Sequence, residues 1–549
     1  MATHHEWGPR QQPEAPKQPL KKRAVVSSFI FKFPEDGKGK PVVALFRRSD
    51  KVNTYQHCLA PISGSIDISD TNPVATAWRE IQEETKLLPS SLTIFRQGKP
   101  YSFSDLSVGR EWTIYPFGFL LKSKAEGGQG EEGIQTDWEH EGWEWYDPDD
   151  VVDREEFGGV PRLKESLRRV WFEGDIGEQA GRVLAAGVHR LQTDHESGSR
   201  ELAGFALGVL KDVIAEMGED VTDSGWWEKV RMAGWHLWKN GRESMGAAIL
   251  NVVISALTAI EAIRLESGGE GSKRDRILAA VDGLIAKRKS TTARINEAFT
   301  SYLRTNFLST DEPKSTVTIL TLSSSSTIRT GLLHACRYLD MQTLDLRILE
   351  SRPLCEGVST ASSILSELKS QSQARSIPKV QMAIYTDSSA ALASANLDIV
   401  LLGADRIATS GDVSNKAGSL PAVLSAKRAS PSAKTVVLSE LEKVSEPDGA
   451  GSQAAEESDP AEVIRGWRGE GVKGVDVVEQ ALAEVRDSTP PKADEEASVT
   501  LEVKNVYFEW TPSELVDAYV CEEGVWNVSS IRERSMWVGK QVERLFGGL

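Results

Sequence analysis

The chain has 549 residues, too long for one ordinary hydrophobic core, so two or three domains are expected. Hydrophobic residues make up 40% and charged residues 26%, the profile of a water-soluble protein, and the net charge of −16 argues against broad binding to nucleic acid or to an anionic membrane, both of which want a basic face. Four widely spaced cysteines (Cys58, Cys336, Cys355, Cys521) with no CxxC pair fit a reducing, cytoplasmic compartment and exclude a cysteine-only zinc site. No run of about 18 consecutive apolar residues stands out, so no membrane span is expected.

Residues 1–22 are rich in Pro, Gln, Lys and His and read as a disordered tail, with Lys21, Lys22 and Arg23 a solvated run ahead of the first strand. From residue 23 to 172 the pattern is α+β. Ala24–Phe33 and Pro41–Phe46 predict short strands divided by a turn at Glu35, Asp36 and Gly37. A helix is expected over Pro73–Thr85, with Pro73 suited to its first turn. Further strands are expected at Leu92–Arg96 and Thr113–Leu121.

Residues 177–306 read as helical. Leu202, Phe205, Ala206, Val209 and Leu210 recur at the spacing of one buried face. Met245–Ile263 is apolar nearly all round and suits the centre of a bundle. The Trp226-Trp227 and Trp235–Trp238 segments suit bundle core. From residue 307 to 549, strands at Val317–Leu322, Leu344–Leu349, Val380–Tyr385, Ile399–Leu402 and Val436–Leu438 alternate with helical stretches. That alternation predicts a parallel, doubly wound sheet. Residues 445–498, rich in Gly, Pro, Ala and acidic residues, interrupt it as a flexible insertion.

The densest chemistry in the first region is Arg79-Glu80-Ile81-Gln82-Glu83-Glu84. On a helix Glu80 and Glu84 share a face and Glu83 lies beside them, so three carboxylates repel one another. A cation such as Mg²⁺ would relieve that repulsion, stabilise a leaving diphosphate and activate water, with Arg79 bracing the carboxylates. Taken alone, those six residues read rather as a solvated acidic helix face. The longer stretch from Gly64 to Leu87, however, resembles the Nudix box Gx5Ex7REUxEExGU, and Glu141–Asp150 extends the likeness. The resemblance implies a Nudix fold and Mg²⁺- or Mn²⁺-dependent cleavage of a nucleoside diphosphate linked to another moiety. It implies Glu80, Glu83 and Glu84 as metal ligands beside Arg79. Ser65 stands where the box-initial glycine belongs, Thr71 replaces the upstream glutamate and Lys86 the closing glycine. Asp67 or Asp70 could replace the lost carboxylate. In this family a distal loop often supplies a base, and Glu126, Glu131 and Glu132 are the candidates.

In the last region the polar motifs fall at the carboxyl ends of the expected strands, where an open parallel sheet binds ligands. Thr321–Ser326, Glu350-Ser351-Arg352-Pro353, Thr386-Asp387-Ser388 and Gly403–Arg406 are four such coincidences. Hydroxyls, helix-start amides, Arg352 and Lys416 could cradle a phosphate; taken singly, each motif reads better as a helix cap, and the four coincidences together favour a pocket. Gly403–Gly418, Glu350–Pro353 and Asn505–Pro512 resemble the superfamily of the initiation factor 2B regulatory subunits, methylthioribose-1-phosphate isomerase and ribose-1,5-bisphosphate isomerase. The likeness implies a helical subdomain followed by a Rossmann-like domain and a phosphorylated sugar or nucleotide as ligand. It also implies a homodimer formed through the Rossmann-like domain. Asp405 matches the catalytic aspartate of the isomerases, and Arg352, Asn415 and Lys416 match substrate contacts. Ser323, with Ser324 beside it, stands where the isomerases carry a cysteine, so the run looks closer to the non-catalytic subunits and binding is expected there; the alternatives are a bifunctional enzyme that also interconverts an aldose and a ketose phosphate in this domain, and a non-catalytic regulatory or scaffold protein.

Overall fold

The computed structural model describes residues 19–34, 40–194, 197–218, 220–268, 271–372, 378–447, 456–487 and 501–549. The chain divides into two compact units, one of residues 1–189, 212–240 and 548–549 and one of residues 190–211 and 241–547.

The first unit begins with β1 (Lys21–Lys32), β2 (Val42–Arg48), β3 (Leu59–Ala60), α1 (Pro73–Thr85), β4 (Leu92–Gln97), β5 (Tyr101–Asp105), β6 (Arg110–Leu121) and β7 (His140–Tyr146). The sheet runs β3-β2-β1-β6-β4, with β5 also on β6 and β7 also on β2. β1 and β6 pair in parallel over a long register from Lys21↔Arg110 to Phe31↔Leu120. Lys21 and Lys22 therefore already belong to the strand and do not precede it, because pairing with β6 extends that far. The rest of the expected tail up to residue 18, and the turn at Glu35–Gly37, lie outside the described residues.

Period-two alternation gives this sheet two apolar faces. Val26, Ile30, Ala44, Phe46 and Phe119 pack with Ala77 and Ile81 of α1. Phe29, Phe31, Val43 and Leu45 pack on the opposite face with Leu163, Leu167 and Trp171, from α2 (Leu163–Arg168) and the residues after it. α3 (Glu173–Ile176), most of α4 (Glu178–Thr193) and α6 (Ser224–Lys239) follow in this unit, while most of α5 (Ser199–Glu216) belongs to the second. In α6, Trp226, Trp235 and Trp238 are buried, as core tryptophans should be.

The second unit contains α7 (Gly246–Leu265) and α8 (Lys273–Leu303), then β8 (Thr316–Leu322), α9 (Ser326–Tyr338), β9 (Thr343–Leu349), α10 (Glu356–Ser372), β10 (Lys379–Tyr385), α11 (Ala390–Ala393), β11 (Ile399–Leu402), β12 (Arg406–Ile407), β13 (Val413–Lys416), α12 (Ser419–Ala429) and β14 (Lys434–Leu438). Residues 434–549 add β15 (Glu456–Glu457), α13 (Pro460–Gly469), α14 (Val475–Asp487), β16 (Val506–Thr511), β17 (Ala518–Cys521), β18 (Gly524–Trp526) and α15 (Val528–Phe546). α7, expected from Met245–Ile263 as a helix apolar nearly all round, lies within the one stretch of described helix long and apolar enough to cross a membrane, where the sequence reading expected no such run. Most of it is buried within this unit, and its Asn251 donates to the carbonyls of Glu442 and Val444 at 2.9 Å each.

The main sheet runs β10-β9-β8-β11-β14-β17-β18 and is parallel through β17. One face packs on Ile295, Phe299 and Leu303 of α8 and on Ile328 and Leu332 of α9; the other packs on Ala422, Val423 and Ala426 of α12. A second sheet, β12-β13-β16-β15, stands beside it. The segment 445–498, expected to be flexible throughout, carries the helices α13 and α14. Ile464, spaced for one face of α13, is buried, and Asp459 caps that helix. Residues 448–455 and 488–500 lie outside the described residues.

Candidate functional site

α1 builds the acidic site of the first unit. Asn72 caps it, accepting from the Ala75 amide at 2.9 Å, and Pro73 fills the first turn. The helix closes on Lys86 with φ of 62°, a left-handed position that favours glycine, and the Lys86 ammonium donates to the Glu83 carbonyl at 2.7 Å.

Arg79 organises the carboxylates. Its guanidinium meets Glu80 Oε1 at 2.8 Å, Glu83 Oε2 at 3.2 Å, Asp70 Oδ2 at 3.1 Å and the Ser65 carbonyl at 3.2 Å. Asp70 is held further by the Thr76 hydroxyl at 2.8 Å, and Arg79 together with that bond keeps its carboxyl well below the usual range. Asp70 thus serves as the counter-ion of Arg79, while Asp67 is largely exposed. Gly64 lies directly against Glu80: a Cβ there would stand 1.9 Å from the Glu80 carboxyl carbon. The close-approach glycine of this segment is therefore Gly64, one residue before the position expected from the box.

Glu84 is buried and its Oε2 meets His140 Nε2 at 2.6 Å. Burial pushes Glu84 well up, helped by the charges of Glu139, Glu80 and Asp137, and pushes His140 down to about 4. Burial also raises Glu80 and Glu139, each with neighbouring carboxylates adding to the rise. This is an excess of anionic charge of the kind a hard divalent cation offsets. Glu80, Glu83 and Glu84 each commit one oxygen to Arg79 or His140 and keep the other, so the donor set fits Mg²⁺ or Mn²⁺. As the side chains lie, no group of three or more His, Cys, Asp or Glu among the described residues closes into a metal-holding arrangement. His140, Glu139 and Asp137 were not found by sequence reasoning; they lie more than fifty residues from α1 and carry no local motif. The loop candidates are engaged elsewhere: Glu126 caps its own turn through Ser123, Glu131 pairs with Lys32 and Trp145, and Glu132 pairs with Lys124.

Beside Gly64 opens a cleft of about 310 Å³ whose lining includes Glu139, three arginines (Arg23, Arg48, Arg110) and aromatic side chains. Trp112 Nε1 donates to Tyr55 Oη at 3.1 Å, and Tyr55 donates to Asp105 at 2.8 Å, which fixes the indole. Tyr101 and Phe103 stack at 6.1 Å on the same wall. Arg23 Nε is buried without a partner among the described residues.

In the second unit the polar motifs gather at the carboxyl ends of β8, β9, β10 and β11. Ser323 and Ser351 both take left-handed backbone, with φ of 66° and 62°. The Ser323 amide donates to Ser351 Oγ at 2.7 Å, and Asp387 accepts from the amides of Ser351 and Arg352 at 2.9 and 2.8 Å. Ser324 is exposed. Arg352 pairs with Glu350 at 3.1 Å and with Glu470, just after α13, at 2.5 Å. Lys416 is buried against Glu356 at 2.9 Å with the Tyr507 ring 4.1 Å away. Asn415 donates to Ser419 at 2.9 Å, and Gly403 lies between Asn415 and Ser325. Asp405 is half-buried, its amide bonded to the Ser414 carbonyl. The amides at the start of α12 are occupied, since Gly418 and Leu420 donate to Glu509 at 2.6 and 3.0 Å.

The first unit is a mixed-sheet α+β domain with a carboxylate-bearing helix, and the second is helical and doubly wound. Residues 23–170 form a NUDIX domain, matching the family model of that name. Residues 195–528 match the Initiation factor 2 subunit family, and with more than half of the sequence covered, the chain belongs to that family.

Similar solved structures include the translation initiation factor eIF-2B of Pyrococcus horikoshii OT3 (18% identity, 63% of this chain and 96% of that one, TM-score 0.42). They also include eIF2B beta of Chaetomium thermophilum (13%, 65% and 92%, TM-score 0.44) and 5-methylthioribose 1-phosphate isomerase of Pyrococcus horikoshii OT3 (16%, 66% and 87%, TM-score 0.40). No curated protein matches the chain at a significant level.

Proposed function

We propose that the first domain is a divalent-metal-dependent pyrophosphohydrolase acting on a nucleoside diphosphate linked to another moiety, a nucleotide sugar being the simplest such substrate. The observation that carries this reading is the adjacency, through Gly64, of the Glu80 carboxylate and a cleft lined by aromatic rings and three arginines. The rings of Trp112, Tyr101 and Phe103 suit a base or sugar face, and Arg23, Arg48 and Arg110 suit its phosphates. Glu80, Glu83 and Glu84 would hold Mg²⁺ or Mn²⁺, which when bound neutralises diphosphate charge and lowers the pKa of water. Arg79 positions Glu80 and Glu83, and His140 holds Glu84. Glu139 lines the cleft with its pKa raised by burial, which makes its carboxylate a better proton acceptor from attacking water than an ordinary glutamate.

The second domain, on this reading, binds a phosphorylated sugar or nucleotide at the strand ends around Ser323, Arg352, Asn415 and Lys416. The test is to incubate the full chain with Mg²⁺ and a panel of nucleotide sugars, dinucleotides and nucleoside triphosphates, and to follow nucleoside monophosphate by chromatography. Turnover by the wild type that disappears in Glu84→Gln supports the hydrolase. No turnover by either form would leave a binding protein built on two enzyme-like folds.

A further inference from the structure

The first unit contains a second cavity, of about 320 Å³ and partly open to solvent, lined by residues of α2, α3, α4 and α6 and by Asp153 and Arg162 ahead of α2. Its lining carries four cations, Arg162, Lys164, Arg168 and Arg169, against three carboxylates. Glu165 accepts from Arg162 at 3.0 Å and from Arg169 at 2.9 Å, and Asp149 accepts from Arg168 at 2.9 Å. Lys164 forms no ion pair with the described residues, and of the other two lining carboxylates Asp153 accepts only the Lys164 backbone amide, at 3.1 Å, while Asp175 makes no ion pair with the described residues.

Two buried donors in the same lining also lack acceptors. Asn240 fixes the first. Its Oδ1 accepts from the Gln97 amide at 2.7 Å and its Nδ2 donates to the Gln97 carbonyl at 3.0 Å, so the amide orientation is set by the backbone. Nδ2 also stands 3.0 Å from His236 Nδ1, which must therefore accept. The proton of this neutral imidazole is thus on Nε2, and Nε2 has no partner although the ring is fully buried. The second donor is Nε of Arg169, buried and equally without an acceptor. A buried donor left unpaired costs about 1–3 kcal/mol, more when charged. Two of them beside an unpaired lysine mark a place where an anionic acceptor is missing.

We propose that this cavity is a binding site for a phosphoryl group, carried by inorganic phosphate or by a small phosphate monoester, and that it is separate from the cleft beside Trp112. Its volume falls at the lower end of small-molecule pockets and exceeds what a bare phosphate fills, so a short ester has room. The inference stands on residues outside the carboxylate site and does not depend on the hydrolase reading.

Isothermal titration of the full chain in chloride buffer with inorganic phosphate, ribose 5-phosphate and malonate tests it. Saturable binding of either phosphate, tighter than malonate, is expected, and the tighter of the two identifies the source. His236→Phe removes the Nε2 donor while filling the same space, and Lys164→Gln removes the unpaired charge. Each is expected to weaken binding about tenfold or more, the scale of a charge-assisted hydrogen bond. Arg110→Gln, in the cleft, is expected to leave it unchanged. Lys164→Gln keeps the test decisive if His236→Phe does not fold. The inference is overturned by an absence of saturable phosphate binding, by malonate binding as tightly, or by binding that survives Lys164→Gln, whether it disappears in Arg110→Gln or in Lys416→Met.

Discussion

Replacing Gly64 by alanine tests whether the carboxylate site is built by close packing. The new Cβ would lie 1.9 Å from the Glu80 carboxyl carbon and 2.0 Å from its Oε1, whereas ordinary contact begins near 3.4 Å. The carboxylate must therefore retreat by roughly 1.5 Å, breaking its 2.8 Å contact with Arg79. Misplacing a catalytic group by about 1 Å costs on the order of a hundredfold. We expect kcat to fall about a hundredfold, equivalent to about 2.7 kcal/mol of barrier, and the Mg²⁺ requirement to rise. Stability should change little, because the obstructing atoms are the end of a flexible side chain and Gly64 does not occupy a left-handed conformation. Steady-state rates on the best substrate of the panel, with a Mg²⁺ titration and a thermal melt, give the readout. Ser65→Ala, one residue along, serves as the control and should keep the wild-type rate. A Gly64→Ala enzyme with wild-type kcat and Mg²⁺ dependence would refute the argument that this contact sets the position of Glu80.

In the second unit, Glu470→Gln removes one of the two carboxylates on Arg352 and should tighten binding of a sugar phosphate, by up to about fivefold for a half-exposed pair; Lys416→Met should weaken it, and calorimetry with ribose 1-phosphate would show both. A pH effect follows from His236, whose pKa burial, Arg96 and Arg169 hold well below 6.5 in the folded unit. Below 6.5 the unfolded chain takes up a proton that the folded chain does not, so stability falls as pH falls, by up to about 1.4 kcal/mol per pH unit, and this contribution is flat above 6.5. Urea midpoints at pH 7.5, 6.5 and 5.5 should fall less steeply for His236→Phe than for the wild type; equal slopes would count against a buried neutral His236.

Much of the architecture was legible because it rests on local signals. The helix over Pro73–Thr85 announces itself by Asn72, Pro73 and the Ala77/Ile81 face, and the apolar strands at Val317–Leu322 and Ile399–Leu402 stand between polar motifs. What could not be read were partners distant in the chain. Nothing near His140 points to Glu84, fifty-six residues away, and nothing near Glu470 points to Arg352. Asp70 was legible as a carboxylate but not as the counter-ion of Arg79, a role set by how the loop before α1 folds back. The helices of 460–487 were masked by composition: Gly, Glu and Ala dominate the surrounding segment, while the residues that face inward, such as Ile464, are few.

Whether the strand-end site of the second unit turns over its ligand comes down to what could carry a proton there. Cys336 and Cys521 are buried, and burial pushes both thiols up to about 12, so neither supplies thiolate at neutral pH. The Cys355 thiol, in a left-handed turn, lies 3.9 Å from the Pro353 carbonyl. Ser323 offers a hydroxyl, far too weak an acid to shuttle a proton without a strong base beside it. The nearby carboxylates are already committed: Asp387 to two amides, Glu356 to Lys416, and Glu509 to the start of α12. On the proposed reading the cations and hydroxyls would bind a phosphorylated sugar, and Asp405 alone would be left to move its protons. Ribose 1-phosphate should therefore raise the melting temperature of the full chain yet yield no ketose over prolonged incubation. Ketose that forms in the wild type and is lost in Asp405→Asn would show that a proton path exists through Asp405 despite the serine at position 323.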